Sequence, residues 1–214
     1  MAEPSIWWAG TPNYTPGNYG IEALFPHWTC GGFDGSVATL QNPDRQASAH
    51  YVIEGGNVAQ LVDEGDSAWH CGNYYYNMRA ISYELVGWPG NPPSYDTLDT
   101  CARMMADASR RYFGGARLVL GENVMLHQWV YATDCPGETD VEWLVNRAND
   151  YLEDDMARGD DIWNFITDDN DPTGRGKKAN MRDRIAWMAA KQEKMQESID
   201  KLTEMVAKLV KGDE

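Results

Sequence analysis

Ser48-Ala-His-Tyr-Val-Ile-Glu-Gly-Gly-Asn-Val-Ala-Gln-Leu-Val62 carries two short apolar runs, residues 50–54 and 58–62, separated by a Gly-Gly-Asn step. Runs of this length, rich in Val and Ile and bounded by glycine, read as strands. The step between them reads as a tight hairpin turn. In the first run, His50, Val52 and Glu54 alternate onto one face. Outward from this hairpin, residues 21–27, 81–86 and 124–130 are further strand-like runs. Two stretches have the helical period instead. Over residues 97–113, Leu98, Ala102, Met105, Ala108 and Tyr112 recur every three or four positions, and Gly114-Gly115 ends the pattern. Over residues 140–154, Val141, Leu144, Val145, Ala148 and Leu152 do the same. Strands interleaved with helices predict an α/β domain.

The 214 residues suffice for one good-sized domain plus an appendage. Hydrophobic residues make up 43% and aromatics 11%, ample for a packed core. No apolar run reaches the roughly eighteen residues of a membrane span. Residues 1–10 lack a basic stretch followed by a long apolar one, so no secretory signal peptide is expected. Net charge is −15 and uneven: residues 1–176 hold 26 acidic residues against nine scattered arginines. Nucleic-acid binding requires a basic face to neutralise phosphates, and none is present. The acidity reads as solubility through self-repulsion. Cys30, Cys71, Cys101 and Cys135 form neither a CxxC pair nor a disulfide framework, which favours free thiols or a metal ligand.

Composition divides the chain into a domain over 1–158, a linker over 159–180 and a heptad tract over 181–211. The linker contains the apolar island Asp161-Ile-Trp-Asn-Phe-Ile166 and then a polar Pro/Gly stretch. In the tract, Ile185, Gln192, Ile199 and Val206 take a positions, and Met181, Met188, Met195, Leu202 and Leu209 take d positions. This predicts a coiled-coil helix and a homo-oligomer, with Gln192 setting register.

The four histidines, His27, His50, His70 and His127, each lie at an apolar strand or in a glycine-aromatic turn. Singly, such a histidine is more often structural than a ligand. His127 and Cys135, eight apart across a loop, meet at one metal if the loop folds back, and a histidine from a distant strand such as His27 completes the set. Two neutral imidazoles and one thiolate suit Zn²⁺ at about 2.0–2.3 Å and leave a fourth position for water.

Taken in order, Phe25-Pro-His-Trp28, the 48–62 hairpin, Ala68-Trp-His-Cys-Gly72, Asn77, Ile81-Ser-Tyr-Glu-Leu-Val-Gly87 and Asp134-Cys-Pro-Gly137 resemble the type 2 N-acetylmuramoyl-L-alanine amidases. This family includes phage lysozyme-type amidases and animal peptidoglycan-recognition proteins. The resemblance spans roughly residues 20–155. It implies a mixed central β-sheet flanked by helices, with zinc in a groove at the sheet's edge. It also implies His27, His127 and Cys135 as zinc ligands, Glu84 as the catalytic carboxylate and Thr133 as an assisting hydroxyl. His50, Trp69, His70 and Asn77 are the candidate substrate contacts. Two departures stand out: Ala49 replaces a tyrosine of the phage type, and Thr133 stands where some members carry lysine.

The implied reaction is hydrolysis of the lactyl–L-alanine amide of bacterial peptidoglycan, with Glu84 as general acid and base and Thr133 donating to the oxyanion. The expected setting is an endolysin, made in the bacterial host cytoplasm and acting on the wall after release. The alternatives are a non-catalytic peptidoglycan-binding module and a cytoplasmic muropeptide-recycling amidase. Binding-only relatives typically lose zinc ligands, whereas all three matching positions are intact here.

Overall fold

The computed structural model describes residues 4–168, with side chains as far as residue 154. The chain divides into two compact units, Met1–Glu153 and Asp154–Glu214. The first contains β1 (Ser5–Trp8), β2 (Tyr14–Thr15), β3 (Ala23–Trp28), α1 (Phe33–Gln41), β4 (Tyr51–Glu54), β5 (Asn57–Gln60), β6 (Ser67–Ala68), α2 (Tyr74–Asn77), β7 (Ala80–Leu85), α3 (Tyr95–Tyr112) and α4 (His127–Val130). The last helix, α5, is Val141–Asp168 and continues beyond the unit's end. Of the second unit only this backbone continuation is described. The heptad tract 181–211 and the linker beyond residue 168 lie outside the described residues.

The main sheet has the order β1-β5-β4-β7-β3. The pair β4–β5 is antiparallel, and β1–β5, β4–β7 and β3–β7 are parallel, so the sheet is mixed as expected. The quoted hairpin forms with Glu54 opposite Asn57, leaving Gly55 and Gly56 as the two turn residues. Gly55 has φ +54°, which glycine adopts without a Cβ clash.

Strand alternation assigns two chemically different faces. Leu24, Tyr51, Ile53, Ile81, Tyr83 and Leu85 face a core completed by Leu98, Ala102 and Met105 of α3 and by Leu144 and Ala148 of α5. The opposite face carries Val52 and Ala59 against Phe33 and Val37 of α1. It also carries Phe25, against Cys71 and Ala80. Helix α3 begins at Ser94, whose hydroxyl accepts from Thr97 N at 3.2 Å, and ends with Arg110 and Arg111 near its carbonyl end.

Besides the short β2, β6 and α2, which the sequence reading did not include, the structure departs from it in four places. Residues 124–130 do not form a strand: Val124 makes only bridges, to Leu24 and Leu120, and the chain then turns into α4. That turn returns Cys135 toward His127, with Gln128 N donating to the Cys135 carbonyl at 3.1 Å. Strand β1 was not expected; its side chains are exposed, so no period-2 burial marks it. Helix α1 was not expected either, because Gly35, Ser36 and Thr39 are poor helix formers and only Phe33 and Val37 are buried. The helix expected over 140–154 runs on to Asp168, through the apolar island and into the stretch read as linker.

One buried side chain closes the gap between α5 and the strand-like segment before Val124. Asn149 Nδ2 donates to the Leu118 carbonyl at 2.9 Å, and Leu118 N donates to Asn149 Oδ1 at 2.8 Å. Replacing it orphans two buried backbone groups. We expect Asn149→Ala to lower the unfolding free energy by about 2–4 kcal/mol, read as a shifted urea midpoint at unchanged slope. A loss below about 0.5 kcal/mol would mean that water replaces the amide there.

Candidate active site

The parallel register of β3 with β7 sets His27 directly beside Glu84. Both lie on the face turned away from α3, because their neighbours Leu24, Tyr83 and Leu85 occupy the other. His27 is thus buried at the carboxyl end of a strand, and Glu84 is partly open to a cleft. His127 begins α4, and the loop from Tyr131 brings Cys135 back to it. Two ring contacts clamp this loop. Tyr131 lies on Gly72, and Trp28 lies so close over Gly137 that any Cβ there would overlap the indole. Thr133 Oγ1 accepts from Cys135 N at 3.2 Å, so the hydroxyl proton stays available to another acceptor.

His27, His127 and Cys135 each offer one ligand atom, and all three atoms lie within 4.8 Å of one another. Cys135 Sγ is 3.3 Å from His27 Nδ1. The other ring nitrogen, His27 Nε2, is 3.0 Å from His70 Nδ1. Burial, then the neighbouring His127, pushes the His27 imidazole down to about 3. Burial, then Glu84, pushes the Cys135 thiol up to about 12. Each group is therefore neutral at pH 7 when no cation is present. Two imidazoles and a thiol that gives up its proton as a cation binds form a donor set that fits a soft or borderline cation.

Other polar atoms here are also unsatisfied. Glu84 Oε2, His70 Nε2 and His127 Nε2 are buried without a hydrogen bond of normal geometry. The Tyr76 carbonyl acts on the His70 ring, and the Cys71 carbonyl on the His127 ring. Burial pushes the Glu84 carboxyl up to about 8. Of these three groups only the Glu84 carboxyl has no backbone partner acting on it, and a buried polar atom left so at a cleft marks a point where a ligand can complete the bonding.

The cleft has a volume of about 530 Å³. The ligand trio, Glu84 and Thr133 lie along one side, and Ser36 and Thr39 of α1, Arg45, Ser48 and Trp69 along the rest. Of the four expected substrate contacts, Trp69 and His70 line it and His50 and Asn77 do not. His50 is a cross-strand tie: its backbone N donates to Ser82 Oγ at 3.1 Å, and its Nδ1 accepts from Ser82 N at 3.1 Å. Asn77 Oδ1 accepts from His70 N at 3.2 Å and Cys71 N at 3.1 Å, which fixes the turn that presents His70. The wall from α1 to Ser48 was not among the expected site residues, because neither apolar period nor ligand spacing marks it.

Comparison with known proteins places the chain in a family. N-acetylmuramoyl-L-alanine amidase A of Achromobacter lyticus is 35% identical over 78 residues, 36% of this chain and 44% of that protein. The chain thus spans less than half the length of that relative. The fold matches the Staphylococcus aureus hydrolase AmiA, crystallised with its ligand, with a TM-score of 0.60 at 17% identity over 74% of this chain and 88% of that one. It also matches a mutant endolysin from Bacillus subtilis, TM-score 0.52 at 18% identity, over 68% of this chain and 98% of that one. The sequence model of the N-acetylmuramoyl-L-alanine amidases matches residues 17–138, more than half the chain, and the protein belongs to that enzyme family.

Proposed function

We propose that this protein is a zinc-dependent amidase that hydrolyses the bond between the lactyl group of N-acetylmuramic acid and L-alanine in bacterial peptidoglycan. The convergence of His27, His127 and Cys135 beside an unpartnered Glu84 carries this reading. These three residues would hold the zinc. When bound, zinc supplies Lewis acidity at the amide carbonyl and lowers the pKa of water from 15.7 to about 7.

The remaining chemistry belongs to the chain. Glu84 Oε2 takes the proton of the attacking water as its oxygen adds to the carbonyl carbon. The same oxygen then returns that proton to the alanine nitrogen as the carbon–nitrogen bond breaks, leaving a carboxylic acid and an amine, which exchange the second water proton to become carboxylate and ammonium. Burial favours the neutral carboxyl in the metal-free pocket, and a cation held by His27, His127 and Cys135 would favour the ionised form that the first transfer needs. The Thr133 hydroxyl keeps its proton free and donates to the developing oxyanion.

His70 sets the tautomer of His27. For His27 Nδ1 to present a lone pair beside Cys135 Sγ, its proton must sit on Nε2 and be donated to His70 Nδ1. The proton of His70 is then on Nε2, where the Tyr76 carbonyl favours it.

The cellular setting in this reading is an endolysin that reaches the wall after release. The fold likeness to the Bacillus subtilis endolysin supports it. In this reading residues 1–158 are the catalytic domain and the heptads of 181–211 associate copies of it. Association would raise avidity for a polymeric wall.

The 214-residue protein should bind about one zinc per chain and release new L-alanine amino termini from muropeptides. Cys135→Ser should lose the metal. Glu84→Ala should keep it and lose roughly 10²–10⁴ in kcat. Wild-type protein that binds zinc yet frees no L-alanine termini would overturn the reading.

In the metal-free protein, the Glu84 carboxyl is protonated in both folded and unfolded states below about 4.5. Above about 8 it is charged in both, and the folded state bears the cost of burying that charge. Stability from the neutral carboxyl is therefore lost as pH rises through that window. Glu84→Gln should unfold at the same urea concentration as wild type near pH 4 and be more stable by about 2–4 kcal/mol near pH 9. A pH-independent difference would show that the carboxyl is not desolvated.

His70→Ala should weaken zinc by about 10–100-fold in chelator competition, without a change in unfolding slope. His70→Gln, whose amide oxygen can still accept from His27 Nε2, should recover part of the loss. Unchanged affinity in His70→Ala would remove His70 from the metal's support.

A further inference from the structure

Three consecutive residues, His70, Cys71 and Gly72, each meet a different part of the candidate metal centre. His70 Nδ1 is 3.0 Å from His27 Nε2. The Cys71 carbonyl acts on the His127 ring. Gly72 lies under the Tyr131 ring, whose centroid is 5.8 Å from that of His127. His27 belongs to β3 and His127 to α4, so one short turn reaches two donors carried by separate elements.

The turn itself belongs to no helix or strand. Its shape is set by Asn77, the last residue of α2. Asn77 Oδ1 accepts from His70 N at 3.2 Å, from Cys71 N at 3.1 Å and from the Cys71 thiol at 3.1 Å. An amide oxygen has two lone pairs, so three donors saturate it. The oxygen is held in its turn. Asn77 N donates to the Asn73 carbonyl at 2.9 Å, and Asn73 Oδ1 caps the same helix by accepting from Tyr75 N at 3.1 Å. Tyr76 packs edge-on against Phe25, and Phe25 against the His70 ring, with centroids 5.3 and 4.9 Å apart. Cys71 is fully buried in the same cluster as Phe25 and Ala80. Moving the turn would break its bonds to one fixed oxygen and uncover a buried thiol.

We infer that Asn77 is a positioning residue for both histidine donors at once: its single oxygen fixes the turn that sets His70 against His27 and the Cys71 carbonyl against His127. This rests on the proposed zinc reading of the centre. An imidazole that donates from one nitrogen offers a lone pair from the other, so an acceptor behind each ring decides which nitrogen faces the cation. With both acceptors on one turn, the two rings are oriented together. Cys135 lies outside this device, because Thr133 and the Gln128 amide hold its own loop.

The test uses the 214-residue protein. It reads zinc affinity by chelator competition and, in metal-free protein, the ring tautomers of His27 and His127 by long-range proton–nitrogen NMR correlation. Asn77→Leu keeps a branched side chain and removes the acceptor. It should weaken zinc by about 100-fold, because two rings lose their outer partners, and both rings should show mixed tautomers. Asn77→Asp keeps an acceptor oxygen and should restore single tautomers and most of the affinity. Adding His70→Ala to Asn77→Leu should cost less than His70→Ala alone, since that support is already lost. Asn149→Ala, which removes a buried amide elsewhere, should leave zinc affinity within about twofold. Asn77→Ala leaves room for water and takes the place of Asn77→Leu if that variant does not fold. A His127 tautomer unchanged by loss of the acceptor, or a zinc loss no larger than that of Asn149→Ala, overturns the inference. A wild type that binds no zinc overturns the zinc reading instead, and the tautomers of the metal-free variants then decide the role of Asn77 separately.

Discussion

The pairing of β3 with β7 is the constraint on which the rest of this structure depends. Its parallel register sets His27 level with Glu84, and alternation sends both away from the α3 side. The register is not held by the polar pair. It is held by Leu24, Ile81, Tyr83 and Leu85, all buried against α3 and α5. A slip of one residue would turn that apolar set outward and drive an imidazole and a carboxylate into the core, at a cost of several kcal/mol per unpaired group. Apolar packing thus places the chemistry, and the catalytic face accepts whatever the register delivers.

The second half of the site comes from a segment with no strand or long helix to position it. His127 and Cys135 are brought together by a helical turn and a loop that lies on glycines. Gly72 leaves room for the Tyr131 ring, and Gly137 for the Trp28 indole. Each glycine has a positive φ as well, so both the backbone shape and the absent Cβ are required. The loop therefore docks against the strand that carries His27 through aromatic rings rather than through a hydrogen-bond ladder.

Three carboxylates illustrate how environment separates structural from functional acids. Burial alone would raise Asp99, but hydrogen bonds from Arg147, Tyr151 and Arg103 outweigh it and hold the carboxyl below its usual range. Glu64 behaves likewise, with Arg111, Tyr51 and Tyr112 as its donors. These two are ionised ties, Asp99 between α3 and α5 and Glu64 between α3 and the chain after β5. Glu84 is buried with no cationic or hydroxyl partner, so its carboxyl moves in the opposite direction. An acid left unsatisfied beside three converging donors is free for the proton transfers proposed for it, whereas Asp99 and Glu64 are committed to their ties.

The sequence by itself determined the α/β class, the β4–β5 hairpin, β3, β7 and the two core helices, because each shows a period of two or of three to four. It also singled out His27, His127, Cys135 and Glu84, through ligand types and through motif order. What it left open depended on contacts distant along the chain. The turn at α4 follows from the need to return Cys135 to His127, and nothing within residues 124–130 signals it. Strand β1 is exposed and α1 has weak helix propensity, so only pairing with β5 and packing against Val52 and Ala59 reveal them. His50 carries the same imidazole as His70, and Asn77 an amide able to hydrogen-bond as well; only the tertiary structure turns His50 and Asn77 into supports and His70 toward the cleft. Periodicity is local and survives in the sequence. The convergence of donors on one point is set by register and loop docking, and it exists only once the chain has folded.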